Sequence, residues 1–145
     1  MKGCIFLNAI TQAKRIVIKV GTSTLAHKTG MLNIRRIESL VKTLADLQNS
    51  GRELVLVSSG AIGVGSGKLG LKERPSDTPT KQACASIGQC ELMYMYDKLF
   101  TEYNHIVGQL LITAPDIADP RAKEASLRPN SNVEPTAPLS CRAKA

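Results

Sequence analysis

Apolar residues follow two rhythms along the chain. Arg15-Ile16-Val17-Ile18-Lys19-Val20 is a short β-branched run closed by Gly21. That pattern predicts a strand buried on both faces, as in a parallel sheet. Gly21, Thr22, Ser23 and Thr24 are small or polar and predict a loop. From Ile34 the spacing becomes helical, with Ile34, Ile37, Leu40, Val41, Leu44 and Leu47 forming one stripe. Asn33 is placed to cap this helix, which runs to about Ser50, and Gly51 to end it in a left-handed conformation. Glu53-Leu54-Val55-Leu56-Val57 predicts a second buried strand. Strand, loop, helix and strand over 15–57 make the βαβ unit of a doubly wound sheet with a right-handed crossover.

Beyond this unit, residues 58–70 carry five glycines, at 60, 63, 65, 67 and 70. Pro75, Asp77, Pro79 and Thr80 read as a linker. A long helix is predicted from about Lys81 to Tyr103, and a third strand from His105 to Ile112. After Thr113 apolar periodicity ends, and five of the seven prolines fall at 115, 120, 129, 135 and 138. The domain reading is a lead-in over 1–13, a globular part over 14–121 and a disordered tail over 122–145.

Composition narrows the class. The chain has 145 residues, 43% hydrophobic and 21% charged, which suits one soluble domain with a modest core. No apolar run is long enough to span a bilayer, so no membrane partner is expected. The stretch Cys4 to Ile10 is short and interrupted by Asn8, which reads as a lead-in and not a signal peptide. The net charge is +7, of which residues 121–145 contribute +3, from five Lys/Arg against two Glu. Aromatic residues are 3% of the chain and no basic cluster occurs, so nucleic acid is not an expected partner. Cys4, Cys84, Cys90 and Cys141 form no Cys-x-x-Cys pair, and His27 and His105 lie apart from them. No metal site or disulfide scaffold is expected, only reduced thiols in a cytoplasmic protein.

Two loops could carry chemistry. Lys19 sits at the carboxyl end of the first strand, where ligands gather in open α/β sheets. Gly21 and its neighbours let backbone N–H groups approach an anion. A lysine there can neutralise a transferring phosphoryl group. Ser58-Ser59-Gly60-Ala61 follows the second strand and offers hydroxyls and an open backbone to a carboxylate or phosphate. Parallel neighbouring strands would bring both loops to one sheet edge. Each loop on its own also fits a plain turn of small residues. Two glycine motifs fail: Ile62 and Leu69 break a P-loop around Gly67-Lys68. The G-x-G-x-x-G run of 65–70 lies too far from Val57 for a dinucleotide turn. The Met93, Tyr94, Met95 and Tyr96 cluster reads as helix packing.

Six blocks in order carry a resemblance: Lys19-Val20-Gly21-Thr22-Ser23, Val57-Ser58-Ser59-Gly60-Ala61-Ile62, Lys81-Gln82-Ala83, Gly88-Gln89, Tyr96-Asp97-Lys98-Leu99-Phe100 and Gly108-Gln109-Leu110-Leu111. Over about residues 14–120 the chain resembles the N-terminal part of the glutamate 5-kinases (gamma-glutamyl kinases) of the amino-acid kinase superfamily. The resemblance implies an α/β fold, a three-layer αβα sandwich with a mostly parallel sheet, incomplete in this chain. It implies ATP- and Mg²⁺-dependent phosphorylation of the side-chain carboxylate of L-glutamate, the first step of proline biosynthesis. Proline as a feedback inhibitor and a homo-oligomer of the full-length family are implied with it.

By motif, Lys19 would contact the ATP phosphates as the catalytic residue, and Gly21 and Thr22 would line the phosphate loop. Ser59, Gly60 and Ala61 would hold glutamate. The family's kinase domain continues past this chain, with an Asn-Glu-Asn-Asp type motif, the base and ribose site and a second catalytic lysine. None of these occurs here, and from about Ala122 the resemblance ends. The 145 residues are therefore expected to be inactive alone. An uncovered apolar sheet face should leave them prone to instability or association. Rival readings are an inactive fragment or pseudoenzyme associating with an intact kinase, and another member of the superfamily.

Overall fold

The computed structural model describes residues 12–111, 118 and 139–143. Strand β1, Arg15–Val20, leads through a single-turn helix α1, Thr22–Leu25, to helix α2, Ile34–Asn49, and strand β2, Glu53–Ser58. Helix α3, Ala61–Lys68, and helix α4, Thr78–Thr101, follow, then strands β3, Val107–Leu111, and β4, Leu139–Ala143. All strand pairs are parallel, in the order β1-β2-β4-β3. β1 and β2 are in register from Arg15 opposite Glu53 to Val20 opposite Ser58, so their carboxyl ends lie side by side.

The predicted βαβ unit is present, with local causes that the sequence announces. Asn33 caps α2 through its side chain, which accepts from the Arg36 N–H at 3.2 Å. Gly51 follows the helix at φ +85°, a conformation that costs a Cβ-bearing residue. Ile37, Val41 and Leu44 of the predicted stripe are buried, whereas Ile34 is 54% exposed at the first turn. Residues 22–25 are helical and not a loop. Gly21 O accepts from Thr24 N and Leu25 N, and burial of Leu25 holds that turn against the core.

The long helix begins at Thr78, earlier than expected. Asp77 is its cap and accepts from Thr80 N at 2.8 Å. Pro79 sits in the first turn, where a missing N–H costs nothing. The helix buries Cys84, Gly88, Leu92, Tyr96 and Phe100, a stripe at every fourth residue. Hydrogen bonds donated by the Thr80 side chain, and next by its backbone N–H, hold the Asp77 carboxyl below the usual aspartate range. Stability from this cap is thus fully present above the ordinary aspartate pKa and is lost as pH falls through the lowered value. Asp77→Asn is expected to flatten that acid limb in a series of urea melts. An unchanged acid limb would contradict the cap.

The core lies on one side of the sheet. Ile16, Ile18, Val20, Leu54 and Leu56 pack with Ile37, Val41 and Leu44 of α2, Val64 of α3, and Leu92, Tyr96 and Phe100 of α4. The other face carries Arg15, Val17, Lys19, Glu53, Val55 and Val57, and none of the described helices covers it. Two layers of the expected three-layer sandwich are therefore seen among the described residues. β4 falls within the segment read from sequence as a disordered tail, yet all five of its residues pair with β3 and four of them, Ser140 to Ala143, pair with β2 as well. Backbone hydrogen bonding to two partners outweighs their weak apolar pattern. The remainder of 122–145 and the lead-in over 1–11 lie outside the described residues.

Candidate functional site

The carboxyl ends of β1 and β2 bring the two predicted loops together. Ser59 N donates to Val20 O at 3.0 Å, and Ser59 Oγ donates to the same oxygen at 3.2 Å. In return, Thr22 Oγ1 donates to Ser59 O at 3.0 Å. Three hydrogen bonds thus lock the end of β1 and the loop after it to the loop after β2. Below them, Ser58 Oγ and the Tyr96 hydroxyl are 3.2 Å apart in the core, tying the end of β2 to α4. Sequence reading placed Tyr96 in helix packing and missed this bond. Its position four residues from both Leu92 and Phe100 was the available signal.

Helix α3 begins at Ala61, one residue past Gly60, with no side-chain cap. Its first-turn N–H groups, which no helical carbonyl can satisfy, point toward the loop edge. They offer partial positive charge to an anion there. Lys19 is exposed on the sheet face away from the helices and makes no ion pair among the described residues. A Cβ built on Gly21 would meet nothing within 4 Å, and φ is −91°. Neither packing nor backbone geometry therefore requires glycine at 21, and the space in front of it is free for a ligand. Lys19, Gly21, Thr22, Ser59, Gly60 and Ala61 accordingly share one edge. Thr22→Val should cost about 1 kcal/mol in urea melts, the usual worth of a part-buried hydrogen bond. An unchanged midpoint would remove Thr22 from the lock.

Gly65 and Gly67, with Gly88 of α4, serve packing. A Cβ at Gly65 would sit 1.8 Å from Cys84 O, and one at Gly88 would sit 1.8 Å from Ala61 O. One at Gly67 would lie 2.5 Å from the carbonyl carbon of Gly30. The run that resembles a nucleotide motif is thus a small-residue face on which α4 and the 27–30 turn rest. Lys68 and Glu91 pair across α3 and α4 at the far end.

Beside Thr22 lies a hollow of about 200 Å³, lined among others by His27, Lys28, Ser66, Lys72 and Arg74. A larger hollow of about 340 Å³ runs by Lys42, Asp46, Asn49 and Tyr103 near the C-terminal end of α2, away from both loops. No helix among the described residues is long and apolar enough to cross a membrane.

The sequence model of the amino acid kinase family matches residues 14–136, which extends past the boundary expected at 121. A glutamate 5-kinase of Moorella thermoacetica is 58% identical over 111 residues, covering 77% of this chain and 29% of that protein. One from Clostridium acetobutylicum is 56% identical over 109 residues, covering 75% of this chain and 41% of its own length. The chain therefore spans less than half of these relatives. Among solved structures, an isopentenyl phosphate kinase substrate complex superposes with a TM-score of 0.51 at 19% identity. The superposition covers 90% of this chain and 53% of that one, a likeness of fold.

Proposed function

Because this chain belongs to the amino acid kinase family, we propose that its two locked loops form the phosphate and substrate walls of a glutamate 5-kinase site. The observation that carries this reading is the three-bond lock at one sheet edge. Identity above 50% to glutamate 5-kinases over about three quarters of this chain supports it.

In the proposed reaction a carboxylate oxygen of the L-glutamate side chain attacks the γ-phosphorus of ATP. An O–P bond forms, the bond to the β,γ-bridging oxygen breaks, and ADP leaves with the electron pair. The product is L-glutamyl 5-phosphate, which feeds proline biosynthesis. No proton moves, so positioning and charge neutralisation do most of the work. Lys19 draws the phosphates to the end of β1. Gly21 leaves room for them, and Thr22 holds that wall to Ser59. Ser59, whose hydroxyl proton is committed to Val20 O, keeps lone pairs for the substrate ammonium. Gly60 and Ala61 present the first-turn N–H groups to a carboxylate. Among the described residues no cluster of three His, Cys, Asp or Glu stands ready for a cation. Mg²⁺ arriving with ATP would supply neutralisation of the phosphate charge. Feedback by proline, homo-oligomer formation and a cytoplasmic setting belong to the same proposal.

The test uses a chimera in which residues 14–111 replace the matching segment of the Moorella thermoacetica relative. Trapping of the acyl phosphate with hydroxylamine should show ATP-dependent turnover with L-glutamate and far less with L-aspartate. A folded chimera that prefers aspartate, or makes no acyl phosphate, would refute the assignment. The 145-residue chain by itself should give no turnover in the same assay. ATP-dependent product from it, abolished by Lys19→Ala, would refute that expectation.

A further inference from the structure

Two loops away from the sheet edge line one hollow beside helix α3, and main chain fixes both of them to that helix. On one side, the turn over residues 27–30 is closed by hydrogen bonds from His27 N to Met31 O at 2.8 Å and from Gly30 N to His27 O at 2.9 Å. Gly30, at φ +83°, rests on α3 so closely that a Cβ on it would lie 2.6 Å from Gly67 Cα. On the other side, Gly70 at φ +67° ends α3 in a Schellman closure. Its bonds run from Gly70 N to Gly67 O and from Leu71 N to Ser66 O, both 3.0 Å. The segment 71–74 leaves from that closure. Between these two rims lies the hollow of about 200 Å³. Thr22 divides it from the sheet edge, with its hydroxyl bonded to Ser59 O and its methyl against Gly63.

Lys28 lines the hollow from the first rim, and Lys72 and Arg74 line it from the second. None of the three makes an ion pair among the described residues, although Glu73 lines the same hollow. Rims pinned by main chain therefore hold three positive charges around one space against a single carboxylate. Like charges gathered in this way repel one another and draw an anion. The guanidinium fork of Arg74 fits a pair of phosphate or carboxylate oxygens, and two ammonium groups beside it favour a doubly charged anion. Thr29 and the His27 ring add hydrogen-bond donors. No Phe, Tyr or Trp among the described residues lines the hollow, so it offers no surface for stacking a base. We propose that this hollow binds a small phosphate-type oxyanion, at a site separate from the sheet edge and not resting on the reaction assigned there.

Isothermal titration calorimetry of inorganic phosphate, and separately of ADP, into the 145-residue chain at low ionic strength tests this. Phosphate should bind saturably. Lys72→Ser combined with Arg74→Ser should weaken it by about tenfold or more, the worth of charge-assisted hydrogen bonds. Lys19→Ala should leave it unchanged. ADP binding that is tighter than phosphate, with the same dependence on Lys72 and Arg74, would uphold the site and identify its occupant as a terminal phosphoryl group. Circular dichroism checks the fold of each variant. Lys28→Gln on the opposite rim should also weaken phosphate, and it decides the matter if the double variant misfolds. No saturable binding of either compound, or affinity that survives these substitutions, would overturn the proposal. Binding lost with Lys19→Ala alone would place the anion at the sheet edge and overturn it too.

Discussion

Gly88→Val is expected to unfold the chain or to leave its thermal midpoint far below the parent's. The contact is between backbones: a Cβ on Gly88 would lie 1.8 Å from Ala61 O and 2.6 Å from Gly65 N. No rotamer relieves it, so α3 and α4 must part. Gly65 faces Cys84 O at the same 1.8 Å, and parting the helices at one point breaks both contacts. Overpacking a core costs about 1–3 kcal/mol and sometimes more, and here the obstruction is main chain on both sides. Alanine should cost within that range and valine more. Since Ala61 begins α3 at the proposed site, displacement there should also move the first-turn N–H groups. Circular dichroism melts check the prediction, with Gly21→Ala as control. Gly21 has open space before it, so its variant should keep the parent midpoint, while the same change in the chimera lowers turnover. Equal midpoints for Gly88→Val and the parent would show that the α3–α4 contact is not as close as described.

Lys19→Ala, placed in the chimera, should lower kcat by about 10²–10³-fold, the range found when one pre-positioned electrostatic group is removed. The lysine is exposed and unpaired among the described residues, so its removal should leave the melting midpoint nearly unchanged. Lys19→Arg should recover only part of the rate, because the guanidinium is longer and planar where the ammonium is a compact charge. Steady-state kinetics with saturating ATP and glutamate measure this. A loss confined to the ATP KM would instead make Lys19 a ground-state binder.

Elements with strong local causes were legible in the sequence. The β-branched runs, the Asn33 cap and the Gly51 stop each fix their own boundaries, and β1, α2 and β2 follow them. The meeting of the two loops was legible from the parallel βαβ pattern. Its bonds were not, since Thr22 Oγ1 to Ser59 O joins residues 37 apart and depends on strand register. The glycine run was opaque for the same reason: Gly65 and Gly88 require glycine because of backbone from another helix. Gly21 to Thr24 read as a loop because they are small or polar, whereas the bonds to Gly21 O and the burial of Leu25 make Thr22–Leu25 a helical turn. The strand at 139–143 had no periodic signal at all, since a strand paired on both sides draws its stability from main-chain bonds that any residue except proline can make.

In the proposed function two loops, locked by Thr22 and Ser59, divide one site between phosphate and glutamate. A kinetic split in the chimera tests it most directly. Lys19→Ala should reduce kcat and leave the glutamate KM close to the parent's, whereas Ser59→Ala should raise the glutamate KM more than it lowers kcat. If both variants retain the parent's kcat and glutamate KM, the sheet edge described here is not the site of reaction.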